Sequence, residues 1–414
     1  MYSEGDEMIV SSLTVSRNML RMLKVFNFVV YGAIAIYSTF FALYLKELGI
    51  STVQIGLLVA GGPLVGLLAN PFWAYWADRL RNNKVILLIC LIGNFICMQF
   101  VFMTQEYPVI FTCMLMFFAF QTPLFTQSNS LILNVIEGTK HKFGEFRVWG
   151  SLGWALIAVA AGPVIGWLGI SRLWIVFDVM MLFAIFFTFL MPSGNERELK
   201  GKFSNKGYLQ VFKNKYFLLF VLLGVLISIP NSINMTFLGI HIRNLGGSDT
   251  LVGWSAFATA ILEVPVFLLL DKYLKKKSQT MLGWLIIICL LFSLRWLLMS
   301  LAASALQVVF VQLLHSVTFG GYYYIGTQLT SHLVPGEYRS SGQAVYGLTW
   351  GGISGIAAGV LGGWMFEELS SAVLYRICLA ATVVGAFGFL LLWQFVRSAD
   401  SRHGVQGKAK SLQG

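Results

Sequence analysis

The sequence predicts an all-α integral membrane protein: twelve transmembrane helices forming two six-helix bundles. Three observations carry this expectation, namely the composition, the spacing of the apolar runs and the placement of the cations. Of 414 residues 57% are hydrophobic and only 11% charged, with a mean hydropathy of +0.75. Soluble domains carry about 25% charged residues, so a water-soluble globule is excluded. The net charge of +11 does not mark a nucleic-acid binder, because the Lys and Arg residues fall in short clusters between apolar runs and not on one soluble face.

A helix needs about 20 apolar residues to cross the hydrocarbon. In chain order, runs bounded by charges or by Gly/Pro/Ser clusters predict spans at 25–45, 53–76, 84–104, 107–131, 147–168, 173–192, 215–240, 250–271, 279–300, 303–328, 341–365 and 372–396. The first run follows a polar tail with Glu4, Asp6 and Glu7. It starts late, is long and lacks a small-residue cleavage site, so it reads as a span and not as a cleavable signal. The basic stretch 193–214 divides the spans six and six. The expected organisation is an N-terminal bundle over 1–192, a cytoplasmic central loop over 193–214, a C-terminal bundle over 215–397 and a cytoplasmic tail over 398–414.

Orientation follows from the cations. With the N-terminus in the cytoplasm, 24 of the 29 Lys and Arg residues fall on the cytoplasmic side. Lys46, Arg172, Arg243 and Arg376 fall opposite, and Arg295 lies inside a span. This asymmetry predicts cytoplasmic termini and an even number of spans, in the cell membrane. All five cysteines, Cys90, Cys97, Cys113, Cys289 and Cys378, lie in predicted spans, as small buried apolar residues and not as a disulfide framework or zinc site.

The two halves echo each other. Asp78-Arg79 after the second span is matched by Asp271-Lys272 after the eighth, at an offset of 193. Val148-Trp149-Gly150, Gly162 and Gly166-Trp167 are matched by Val345-Tyr346-Gly347, Gly359 and Gly363-Trp364, at an offset of 197. Parallel halves around a midplane cavity suit alternating access, although small-residue helix faces recur in any helical membrane protein. Twelve spans, a long middle loop and an acidic-basic signature after spans two and eight resemble the major facilitator superfamily over roughly 20–397. In that family the loop works as a gate latch. The resemblance implies this role for Asp78 and Arg79, with Asp271 and Lys272 as their counterparts; a plain surface ion pair is the alternative.

Charged groups inside a bilayer cost at least about 2.5–3.5 kcal/mol at a helix centre, so each is a functional candidate. Glu263, Arg295, Asp178 and Arg147 lie deeper than a loop, and His315 is the buried histidine. Glu263 stands two residues before Pro265, which predicts a kinked eighth helix with its carboxylate toward a wet cavity. Arg295 is mid-span and calls for an anionic partner or a cavity. Asp178 either lies in the membrane or reaches the outer interface near Arg172. Arg147 opens the fifth span in FGEFRVWGSLGW, where it either binds solute or anchors the helix by the positive-inside rule.

That last stretch resembles the lactose permease, phenylpropionate permease and nucleoside-proton symporter branch. The resemblance implies that Arg147 binds solute hydroxyls, that Trp154 stacks on a solute ring, that Glu263 is the binding carboxylate, that Arg295 is the buried arginine and that His315 couples the proton. It also places Asn129 opposite the binding arginine. Where lactose permease has two aspartates in the seventh span this chain has Asn231 and Asn234, and where it has their lysine partners this chain has Ser354 and Gln312. Its proton-carrying glutamate falls on Thr318. Anions and cations are thus lost together, as buried pairs are. The neutral ring of Asn129, Asn231, Asn234, Gln312, Trp154 and Tyr322 to Tyr324 favours a neutral polyhydroxylated or heterocyclic solute.

The expected function is secondary active transport, by proton-coupled symport, of a sugar, nucleoside or aromatic acid. The expected partners are protons, the solute and lipid, with no cofactor, metal or nucleic acid, and the expected state is a monomer. Efflux is the alternative, since Gly153 with Gly162-Pro163-x-x-Gly166 resembles a drug-antiporter signature. A non-transporting sensor or scaffold is the third. No metal-spaced His/Cys cluster, Gly-x-Ser-x-Gly or phosphate loop points to an enzyme.

Overall fold

The computed structural model describes residues 17–80, 82–136, 139–191, 213–275, 277–335 and 338–411. The tail with Glu4, Asp6 and Glu7 and most of the 193–214 loop lie outside them. Among the described residues all regular structure is helical, and twelve helices are long and apolar enough to cross a membrane. They are α1 (Asn18–Glu47), α2 (Thr52–Leu80), α3 (Asn83–Phe102), α4 (Tyr107–Ile136), α5 (Phe143–Leu168), α6 (Ile170–Leu190), α7 (Lys215–Asn244), α8 (Asp249–Tyr273), α9 (Ser278–Leu301), α10 (Ala305–Leu333), α11 (Ser341–Glu368) and α12 (Ser371–Ser398). Each overlaps one predicted span. α1 begins earlier than expected because its basic turn is still supported by packing: the Lys24 ammonium lies 5.8 Å over the Phe146 ring.

α1 packs on α5 and α6, and α3 on α4 and α6. In the second half α9 packs on α12 and α10, and α7 on α12 and α11. The halves meet where α5 crosses α8 and α2 crosses α11. Both crossings lie toward the outer face, as the cation split orients the chain, and both are made by glycine. A Cβ on Gly253 would lie 2.6 Å from the Ala158 carbonyl oxygen, and one on Gly162 2.8 Å from that of Asp249. A Cβ on Gly56 would strike the Gly359 carbonyl, and one on Gly363 would lie 2.6 Å from that of Thr52. Only the missing side chains let these backbones touch.

These contacts explain the echo at offset 197. Gly162 and Gly359 are equivalent positions of the two crossings, and so are Gly56 and Gly253, a pair with the same offset that flanking sequence did not reveal. The α2–α11 crossing carries an extra tie: the Glu367 carboxylate accepts from the Thr52 backbone N–H at 2.8 Å and from its hydroxyl. A carboxylate of one half thus caps the N-terminus of a helix of the other. The ends of α4, α8 and α10 remote from these crossings pack chiefly within their own group, so the halves close at the end that carries the Gly56 and Gly162 crossings and part at the other, which the cation split makes the inner one.

Four helices are interrupted. α4 breaks between Gln121 and Pro123, and α8 between Ile261 and Glu263. α10 breaks at Gln312 and then runs as a π-turn over Ser316–Gly320. α11 contains π-turns at Thr349–Ile353 and Ala358–Gly362. Irregular backbone survives at membrane depth only where neighbours satisfy it or a cavity is lined.

Candidate substrate and proton site

Pro265 lacks the N–H that would bond to the Ile261 carbonyl, which is why α8 gives way there. The Thr259 carbonyl, freed at the break, accepts from the Ser316 hydroxyl at 3.0 Å. The break turns the Glu263 carboxylate toward α10, with its Oε1 3.9 Å from His315 Nε2. The two side chains are 21% and 4% exposed, so the pair stands at the edge of buried space. The π-turn after His315 brings α10 close, and a Cβ on Gly320 would lie 3.8 Å from Glu263 Cγ.

Arg147 lies in the first turn of α5. Its guanidinium sits 4.5 Å over the Tyr31 ring of α1, a cation–π contact, and the Tyr31 hydroxyl reaches Asn129 Oδ1 at 3.5 Å. Gly150, one turn on, leaves room for this: a Cβ there would lie 3.1 Å from Arg147 Nη1 and from Tyr31 Cγ. Nη1 is buried without a hydrogen-bond partner. Trp154 lines a cavity of about 30 Å³ with Ser38, Thr39, Met235, Ser255 and Thr259 among others. Such a volume suits a water and not a solute, as expected above a closed outer crossing. Thr259 is one turn before Glu263, so the cavity lies directly outside the carboxylate.

Arg295 departs from expectation. Among the described residues it has neither an anionic partner nor a place on the cavity. Its side chain is fully buried, with Nη1 donating to Asn231 Oδ1 at 3.2 Å and Nη2 to Gln312 Oε1 at 2.7 Å. The guanidinium lies 4.5 Å from the Trp296 ring, and Nε has no partner. Gln312 Oε1 also accepts from Asn234 Nδ2 at 3.2 Å, and Asn234 Oδ1 accepts from the Tyr375 hydroxyl at 3.0 Å. Asn231, Asn234 and Gln312 therefore form one amide cage around Arg295 and not a ring open to solute. Gln312 stands one turn before His315 on α10, so the cage and the histidine share one stretch of helix.

The remaining candidates are dispersed. Ser354 bonds to Ser228 and the Thr349 carbonyl, away from Asn231. The Thr318 hydroxyl returns to its own helix at Leu314. Tyr322 is fully buried, and Tyr324 donates to Asp271 at 2.7 Å. Asp178 accepts from Gln99 of α3 at 2.7 Å, so it faces the interior of the first half and not the outer interface. Asp78 and Arg79 are exposed; Arg79 donates to Tyr75 at 2.9 Å on its own helix, and Lys272 lies 5.1 Å over Tyr273. Neither basic member of the gate pairs bridges to a neighbouring helix in this conformation. Sequence reading missed Tyr31, as well as Phe319 and Trp350. Phe319 stacks on His315 at 5.0 Å and meets Trp350 edge-on at 5.1 Å. Their signal, an aromatic one turn past His315 and a Trp in the glycine-rich eleventh span, was present but looked like ordinary packing.

Among the described residues no group of His, Cys, Asp and Glu could hold a metal ion. Two bundles of six helices, joined at one face, with a carboxylate and a histidine at broken helices of one half and an arginine on an unbroken helix of the other, define a membrane carrier. The model of the MFS_1 like family matches residues 20–377, and the chain belongs to that family of transporters. It is similar to the maltose permease of Geobacillus stearothermophilus, with 23% identity over 90% of this chain and 94% of that one. It is also similar to the probable 3-phenylpropionic acid transporter of Escherichia coli K12, with 22% identity over 87% and 95%. Among solved structures, a mutant of the nucleoside transporter NupG superposes with a TM-score of 0.81 at 16% identity, covering 91% of this chain and all of that one. The chain is thus a multi-pass membrane transporter of small molecules and not an enzyme.

Proposed function

We propose that this transporter is a proton-coupled symporter that takes up a small polar organic solute, such as a sugar, nucleoside or aromatic acid, by alternating access. It works as a monomer in the cell membrane with both termini cytoplasmic, driven by the proton gradient without a cofactor. The observation that carries the reading is Glu263: a carboxylate at a helix break, 3.9 Å from His315 Nε2. His315 and Arg147 are the titratable or charged groups facing it from α10 and α5. A proton on Glu263 would leave the charge of Arg147 to be balanced by solute, which ties the two loads to one site. The relatives' names support the solute classes, and the open inner face supports alternating access, with Asp78, Arg79, Asp271 and Lys272 as latches of the opposite state.

The test is uptake by reconstituted vesicles against a panel of maltose, uridine and 3-phenylpropionate. An inward proton gradient is expected to drive accumulation, and Glu263→Gln to abolish the coupling. A variant that stays proton-coupled would sink the assignment of Glu263. Efflux by proton antiport is the alternative reading; Gly153 and Gly162 make close helix contacts with Phe28 and Asp249, and extrusion of solute against an inward proton gradient in the same vesicles would favour it.

A further inference from the structure

The site has more positive charge than its own residues balance. Two guanidiniums stand near the Glu263–His315 pair, one in each half: Arg147, on α5 two turns before Trp154, whose cavity also holds Thr259 one turn before Glu263, and Arg295, bonded to Gln312 one turn before His315. Among the described residues, neither guanidinium has a carboxylate within ion-pair distance. Arg147 Nη1 and Arg295 Nε are both buried without any acceptor. The amides that hold Arg295 are neutral, so they satisfy hydrogens without cancelling charge. With Glu263 ionised the site carries one net positive charge; with Glu263 protonated it carries two. Arg295 is fully buried and Arg147 half-buried, and charge removed from water in this way calls for a counter-ion.

We infer that the transported solute is a monoanion, a carboxylate, that replaces the Glu263 carboxylate as the counter-ion of Arg147 when Glu263 takes up a proton. The inference rests on the proposed symport through this site and names its solute class. The guanidinium's planar fork of donors suits a carboxylate, which accepts at two oxygens. Arg295, sealed behind Asn231 and Gln312, does not touch the solute; it adds a fixed positive potential. The ring of Trp154 and the amide of Asn129 are left for the uncharged part of the solute.

The step balances. One outer proton adds to a Glu263 carboxylate oxygen and forms an O–H bond. The solute carboxylate binds Arg147, and on the inner face proton and anion both leave. No electron changes hands. The empty carrier, with two guanidiniums and one carboxylate, carries one net positive charge. The loaded carrier has the same two guanidiniums, a neutral Glu263 and one anion, and again carries one. The moving site thus crosses the membrane with the same charge in both directions, and transport of one anion with one proton is electroneutral.

Two measurements test this on the full-length protein. Purified carrier is titrated with matched pairs, 3-phenylpropionate against 3-phenylpropionamide and gluconate against glucose, and binding is read by tryptophan fluorescence and thermal shift. One anion is expected to bind in preference to its neutral partner. Arg147→Gln should weaken it by roughly 10- to 150-fold, the worth of a charge-assisted hydrogen bond, whereas Arg147→Lys should keep the preference at lower affinity. In vesicles clamped with valinomycin, the pH gradient should drive uptake, and an interior-negative potential alone should drive none. Neutral probes binding as well as or better than their anions, or uptake driven by potential alone, would overturn the inference while leaving proton symport intact. Anion binding lost in Arg147→Gln, without gradient-driven uptake by the parent protein, would instead support the anion site and refute symport.

Discussion

The outer closure rests on backbone contacts, and this makes it sensitive to single methyl groups. In Gly253→Ala the new Cβ would stand 2.6 Å from the Ala158 carbonyl oxygen, and ordinary contact begins near 3.4 Å. Both neighbours are helix backbone, so α5 and α8 must separate by about 0.8 Å or the crossing must open. Overpacking of this kind costs about 1–3 kcal/mol. The cost falls only on the closed state, so the closed-to-open ratio should drop by roughly 5- to 150-fold. Spin labels at Glu47 and Ser370, exposed positions at the outer ends of α1 and α12, report the gap by pulsed electron resonance in a cysteine-free background. Gly253→Ala should add a longer-distance population. Gly283→Ala is the control, because a Cβ at Gly283 meets nothing within 4 Å. If the two variants give the same distances as the parent, the glycine crossing is not the seal.

Three further outcomes are expected. Glu367→Ala removes the acceptor from the Thr52 N–H and hydroxyl, and at this exposed position the loss should be about 1 kcal/mol or less; the same labels should show a smaller opening, and a larger one than in Gly253→Ala would contradict the ranking. Asn234→Leu strands the Tyr375 hydroxyl, whose acceptor is Asn234, at about 1–3 kcal/mol for a buried group, so the thermal midpoint in detergent should fall, whereas an unchanged midpoint would mean that Asn234 is dispensable to the amide cage. Arg295→Lys keeps the charge but cannot span Asn231 and Gln312 as the planar fork does; it should lose about 1.5–3 kcal/mol, and a lysine variant as stable as the parent would show that charge alone matters there.

The twelve spans were legible because the bilayer thickness fixes how long each apolar run must be. Glu263 was legible because a carboxylate beside a proline in an apolar run has few bland explanations. The surroundings of Arg295 were not. A mid-span arginine called for an anion or a cavity, yet it is held by Asn231 and Gln312, whose rotation about α7 and α10 is set by packing that no periodicity reports. Asp178 stays open in the sequence between the membrane and the outer interface near Arg172, and only its bond to Gln99 of α3 places it inside the first half. The second glycine pair, Gly56 and Gly253, escaped because a contact made by absent side chains leaves no pattern around it. The π-turns escaped because one extra residue per turn is invisible to a 3.6-residue count.

Those π-turns give the molecule a mechanical polarity. Among the described residues all three lie in the second half, one beside His315 and two along α11. A π-turn stores one surplus residue, and moving it along the helix rotates the downstream side chains by about a hundred degrees without melting the helix. The halves are matched at their glycine crossings but not in compliance. The first can act as a stiff lever carrying Arg147, while the second can deform around Glu263 and His315, so the histidine and carboxylate can be re-aimed without moving the hinge.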